Sequence, residues 1–298
     1  MSYIITTSDL TKQYKNVTAV DSVDLHVEEG AVYGLIGRNG AGKTTILKML
    51  SGLAYPSFGS IRIGNSHLPK PKIGVLIEEP GLYTSLSALQ NMEIKRIALG
   101  LKSDEKASRD LLSFVGLANW ADVRCGSFSL GMRQRLSIAL ALSGDPDILI
   151  LDEPINGLDP QGIHDVRVVL QRLNQEAGKT ILISSHLLDE LSKVATTYGI
   201  LERGHLMKEA TEEEILNSMP AYVRFIVDQI DQAKTVLESM GIFSYQTKSD
   251  HMLHVLEQFE RRDEMLERMI MAGIHVHECQ LIRESLEQYF MGVTREVR

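Results

Sequence analysis

The chain has 298 residues, 44% of them hydrophobic, which is enough for one large domain or a large and a small one with full cores. A net charge of −8 argues against a nucleic-acid polyanion as the main partner. Two cysteines, Cys125 and Cys279, are too few and too far apart for a disulfide framework or a zinc site, which suggests buried or idle thiols in a reducing compartment.

The opening run MSYIITTSDLTKQYK lacks the charged start and apolar core of a signal peptide. No apolar run approaches the roughly 18 residues needed to cross a bilayer, so a soluble, cytoplasmic chain is expected. Residues 31–50, AVYGLIGRNGAGKTTILKML, hold the strongest local signal. An apolar strand leads into Gly37, Arg38, Asn39, Gly40, Ala41, Gly42, Lys43, Thr44 and Thr45, and an apolar helix follows, which is the setting a phosphate-binding P-loop requires. Glycines let the backbone wrap until successive N–H groups face phosphate oxygens, and the helix start adds its positive end. Lys43 is then placed for the β- and γ-phosphates of ATP and Thr44 for Mg²⁺.

Residues 73–83, IGVLIEEPGLY, begin as a strand and break at Pro80 and Gly81 after two carboxylates, Glu78 and Glu79. Either the strand delivers acids into a functional loop or both are ordinary solvated charges. The following run, LSALQNMEIKRIALGLKSDEKASRDLLSFVGL, has helical spacing and little strand character. Then DILILDEP, 147–154, gives a second strand tipped with acids. Its continuous apolar run suits a parallel strand covered on both faces, and ligands bind at the carboxyl edge of such a sheet. Asp152 suits a Mg²⁺ shell, and Glu153 is one residue further, where it can polarise a water aimed at the γ-phosphate; two surface charges are the alternative.

Beyond YGILERGHLMKEATEEEILN the pattern changes, with Pro220 at a plausible boundary. YVRFIVDQI leads to an amphipathic segment and GIFSYQT, and MLHVLEQF to another and GIHVHEC, a weak β-α-β repeat whose simplest form is a ferredoxin-like sandwich closed by a helix at IRESLEQYFMGV. Met265, Met269 and Met271 read as helix packing. His275 and His277 share one strand face without a third ligand nearby, which makes metal binding the weaker reading.

Several separate segments together resemble the nucleotide-binding subunit of an ABC transporter over about residues 3–210. FSLGMRQRLSIALAL at 128–142 resembles the family signature, although Phe128, Leu130 and Met132 stand where LSGGQ has Leu, Gly and Gln. INGLDP at 155–160 resembles the D-loop and ILISSH at 181–186 the switch-histidine segment. The resemblance implies an α/β P-loop core with an antiparallel β subdomain and a helical subdomain at about 84–144; with the change of pattern near Pro220, the expected domains are 1–215 and a small α+β domain at 220–298. It implies Tyr14 beneath adenine, where strand packing is the alternative reading, and His186 at the γ-phosphate. It further implies that Ser129, Gly131 and Asp159 act across a head-to-tail dimer with a second copy or a homologous subunit, with ATP and Mg²⁺ between them. In such subunits Glu153 is the base, and a separate integral membrane permease receives the stroke, holding the subunit on the inner face of the membrane.

Where the family has a glutamine, this alignment puts Glu78, a second acid for Mg²⁺ or catalysis. That substitution and the SLGM-QR signature resemble the exporters for bacitracin and lantibiotic resistance, and the ending SLEQYFM resembles tails of drug-exporter ATPases. Two other classes stay open: a soluble ATPase of this type on nucleic acid or the ribosome, and a nucleotide-gated regulator. The second cassette, long coiled coil or zinc cysteines of the first are absent from the sequence. Glu153 and His186 speak against the second.

Overall fold

The computed structural model describes residues 2–64, 69–78, 81–219, 221–283 and 286–295. The chain divides into two compact units, Met1–Glu214 with Val293–Arg298, and Ile215–Gly292.

In the first unit, β1 (Tyr3–Tyr14) pairs antiparallel with β2 (Val17–Val23) and with β3 (His26–Glu28). β4 (Val32–Ile36) runs into helix α1 (Lys43–Leu50), and β5 (Phe58–Ile63) returns to β1. β6 (Ile73–Leu76) precedes the helical part, α2 (Ala88–Ala98), α3 (Glu105–Phe114) and α4 (Leu130–Leu142). Then come β7 (Ile148–Asp152), α5 (Pro160–Gln175), β8 (Thr180–Ser185), the single turn α6 (Leu188–Leu191), β9 (Thr197–Glu202) and β10 (His205–Thr211).

A six-stranded sheet runs β10-β9-β4-β8-β7-β6, parallel except for β10. β4 and β7 read as apolar runs because both faces are covered: Tyr33, Leu35, Ile148 and Ile150 share one core with Ile5, Leu10 and Val27 of the antiparallel strands and with Ile46 and Leu50 of α1, and Val32–Ile36 and Ile148–Leu151 are buried throughout. On α5, Val166, Val169, Leu170 and Leu173 recur at helical spacing and form its buried stripe, each worth about 1.5–3 kcal/mol of transfer energy. Parallel strands all end on one edge, so the segments after β4, β6, β7 and β8 meet there.

Helix α7 (Glu212–Ser218) leads to the second unit, which holds β11 (Ala221–Val227), α8 (Ile230–Ser239), β12 (Tyr245–Ser249), β13 (Met252–Val255), α9 (Arg262–Met271), β14 (Val276–Arg283) and α10 (Leu286–Arg295) up to Gly292. Its antiparallel sheet runs β12-β13-β11-β14, the split β-α-β-β-α-β order. Val223, Phe225 and Val227 meet Ala233, Leu237, Met265 and Met269 in a core of its own. Met271 differs from the sequence expectation: it is 74% exposed, because α9 ends there. The closing helix also starts later than expected, since Ile282 and Arg283 extend β14 opposite Tyr222 and Ala221. Pro220 and Glu79 lie outside the described residues. Among the described residues no helix is long and apolar enough to cross a membrane.

Candidate nucleotide site

The loop between β4 and α1 is shaped by two glycines that tolerate no side chain. A Cβ on Gly37 would come 2.6 Å from the Leu201 carbonyl oxygen, and one on Gly42, at φ +108°, would come 2.5 Å from that of Ala19. Gly42 is also the N-cap of α1 and brings no side-chain cap, whereas α2, α3, α4 and α5 are capped by Ser87, Asp104, Ser129 and Asp159. The first N–H groups of α1 are thus left for an anion, which fits a phosphate. Arg38, Asn39 and Gly40 are exposed on the same loop; Ala41 is buried and Thr45 half-buried.

Lys43 is 6% exposed and donates to the Gly37 carbonyl at 2.7 Å, which braces the loop. The same ammonium lies 3.1 Å from Glu153 Oε1. Thr44 Oγ1 donates to Asp152 Oδ2 at 2.8 Å, so a hydroxyl and a carboxylate oxygen converge from α1 and β7. Such hard oxygen donors are the set Mg²⁺ takes.

Glu153 also meets His186 Nδ1, 2.8 Å from its Oε2. A carboxylate only accepts, so Nδ1 carries the proton and the tautomer is fixed with Nε2 as the other ring nitrogen. Glu153 stands at φ +47°, a left-handed conformation that a side-chain-bearing residue holds only when its surroundings impose it. One of those constraints escaped the sequence reading. Ser184, fully buried at the end of β8, donates to Asp152 Oδ1 at 2.5 Å and accepts the Glu153 N–H at 2.9 Å. A polar residue closing an otherwise apolar strand beside two acids was the available signal.

Glu78 joins this group through a second residue the sequence reading passed over. Lys48 Nζ lies 2.5 Å from Glu78 Oε1. The hydrogen bond to Glu78 raises the Lys48 ammonium above its ordinary range against the opposing effect of burial, with smaller upward contributions from the charges of Glu78, Tyr14 and Asp152. Lys48 follows Thr44 by four residues, the spacing that puts both on one helix face.

Among the described residues, the remaining expected ones share no hydrogen bond with this set, although Tyr14 is near enough to act on the Lys48 charge. Tyr14 ends β1, 47% exposed, with Lys12 Nζ 5.0 Å above its ring. Ser129 is exposed and accepts from Met132 N at 3.2 Å at the start of α4. A Cβ on Gly131 would touch Gly162 at 3.5 Å, so the α4 start packs on the α5 start, where exposed Asp159 accepts from Gly162 N at 2.9 Å. The segments that resemble the signature and the D-loop therefore lie side by side.

The ABC transporter family model matches residues 20–156. The bacitracin transport ATP-binding protein BcrA of Enterococcus faecalis is 38% identical over 296 residues, covering 97% of this chain and 96% of that protein. The lantibiotic transport ATP-binding protein SrtF of Streptococcus pyogenes is 44% identical over 204 residues, covering 67% of this chain and 88% of its own. Among solved structures, an ATP-binding cassette of an ABC transporter in its ADP conformation matches with a TM-score of 0.65 at 25% identity, covering 72% of this chain and 93% of its own. A dimeric cassette in a post-hydrolysis state, bound to ADP and Pi, matches with a TM-score of 0.61 at 25% identity, covering 70% and 98%.

Proposed function

As this chain belongs to the family of ATP-binding subunits of ABC transporters, we propose that it is the motor of an exporter acting on antimicrobial peptides of the bacitracin or lantibiotic kind. The chain is an ATPase that binds ATP with Mg²⁺ and works with a membrane permease and a second cassette. The cargo class rests on the relatives, whose names concern bacitracin and lantibiotic transport. The subunit is placed on the cytoplasmic face, held there through its permease.

One observation carries the chemistry: Lys43 and His186 both address Glu153, and Thr44 addresses the neighbouring Asp152. We assign Lys43 and the loop amides to the β- and γ-phosphates, and Thr44 and Asp152 to Mg²⁺, which when bound offsets phosphate charge during transfer. Glu153 is the base that orients and deprotonates the attacking water, and His186 holds its carboxylate in place. Tyr14 carries adenine. Ser129, Gly131 and Asp159, uninvolved with the Glu153 cluster and turned to solvent as one patch, serve the nucleotide of the facing subunit. Glu78 is a secondary acid linked to permease coupling.

Purification from membranes tests the reading. Recovery of an integral membrane protein that stimulates ATP turnover supports an exporter motor, and recovery of ribosomes or nucleic acid in its place would sink it.

A further inference from the structure

Two neighbouring strand ends repeat one arrangement. β6 and β7 run parallel with Leu76 opposite Leu151, and a glutamate stands two residues beyond each: Glu78 and Glu153. Both are left-handed, at φ +62° and +47°. Each carboxylate meets a lysine of α1, Lys43 at 3.1 Å for Glu153 and Lys48 at 2.5 Å for Glu78. Thr44, on the Lys48 face of the helix, reaches Asp152 between them. One helix therefore addresses the tips of both strands.

A third carboxylate beside Asp152 and Glu153 repels the other two and the phosphates they serve, and a cation held against it removes most of that repulsion. We propose that Lys48 is a positioning residue for ATP hydrolysis: it balances the charge of Glu78 and keeps that carboxylate paired near the β6 tip, so that a third acid is tolerated there. This rests on the reading of the Glu153 cluster as the hydrolytic site. Lys48 acts through Glu78 and has no part in binding the loop carbonyls that Lys43 braces.

The test is a double-mutant cycle on the assembled transporter, measuring kcat and KM for MgATP in wild type, Lys48→Met, Lys48→Arg, Glu78→Gln and the Lys48→Met/Glu78→Gln pair. Lys48→Met is expected to lower kcat about tenfold with KM changed less than about twofold, and Lys48→Arg to keep most of the activity. With Glu78→Gln already present, the further loss from Lys48→Met shrinks to under about twofold, because no charge is left to balance. An equal loss in both backgrounds, or wild-type kcat in Lys48→Met, overturns the proposal. If the methionine variant fails to fold, Lys48→Gln takes its place in the same cycle. Glu153→Gln in the same series separates the two readings. Retained turnover there refutes the hydrolytic site itself, whereas lost turnover with an additive cycle refutes Lys48 alone.

Discussion

The β7 tip and the β6 tip carry the same residue type in the same left-handed conformation, yet they hold it differently. Glu153 is 20% exposed and is met by Lys43, by His186 and, at its N–H, by Ser184. Glu78 is 65% exposed and is met by Lys48. Fixed donors around a sheltered carboxylate set its orientation before any water arrives, the condition for base catalysis. An exposed carboxylate that meets, among the described residues, one flexible lysine keeps more freedom to respond to whatever docks on its loop. On the proposed roles, the number of fixed donors, more than the position on the sheet edge, is what separates the base from the coupling residue.

The largest effect should come from neutralising one tip at a time. Glu153→Gln is expected to lower ATP turnover at least about 100-fold and Glu78→Gln about tenfold, measured as kcat in the assembled transporter. Equal losses would mean that the β6 tip takes part in the chemistry on the same terms. Next comes the added support at β7. Ser184→Ala leaves the Asp152 carboxylate and the Glu153 N–H without their shared hydroxyl, and both sit around a fully buried side chain. Stability should fall by about 1–3 kcal/mol in chemical denaturation, and kcat should fall with it. A neutral result would place the constraint on Glu153 with Lys43 and His186.

The difference between the tips also explains what could be read from the sequence. The phosphate loop was legible because its chemistry is local: Gly37 and Gly42 are required by close backbone approach, and Lys43 and Thr44 follow at fixed spacing. The place of Asp152 and Glu153 was legible because an apolar parallel strand announces where its carboxyl end lies, the edge at which ligands bind in such sheets. Ser184 was not, since a serine in a buried strand reads as a satisfied polar group until its partners from another strand are known. Lys48 was hidden for the opposite reason, as a helix lysine is usually solvated, and its partner is 30 residues away. In the second unit the alternation of β11 was plain in YVRFIV, but the end of β14 was fixed only by its ladder to β11.

The smallest effect concerns stability at the β6 tip. Exposed ion pairs contribute about 0.2–1 kcal/mol, and solvent around a Glu78 that is 65% exposed screens this one toward the lower end. Lys48→Ala should therefore lower unfolding free energy by less than about 0.5 kcal/mol, and added salt should shrink the difference. The pH dependence follows from the sign of the shift. Glu78 raises the Lys48 ammonium above its ordinary 10.5, so the contribution is fully present below that value and is lost as pH rises through the folded one. From pH 7 to about 9.5 this lysine gives the gap between wild type and Lys48→Ala no slope, and it closes only under strongly alkaline conditions. A loss above about 2 kcal/mol at neutral pH, insensitive to salt, would show a desolvated pair. The β6 tip would then be held as rigidly as the β7 tip, and the assignment of coupling to one and chemistry to the other would lose its physical basis.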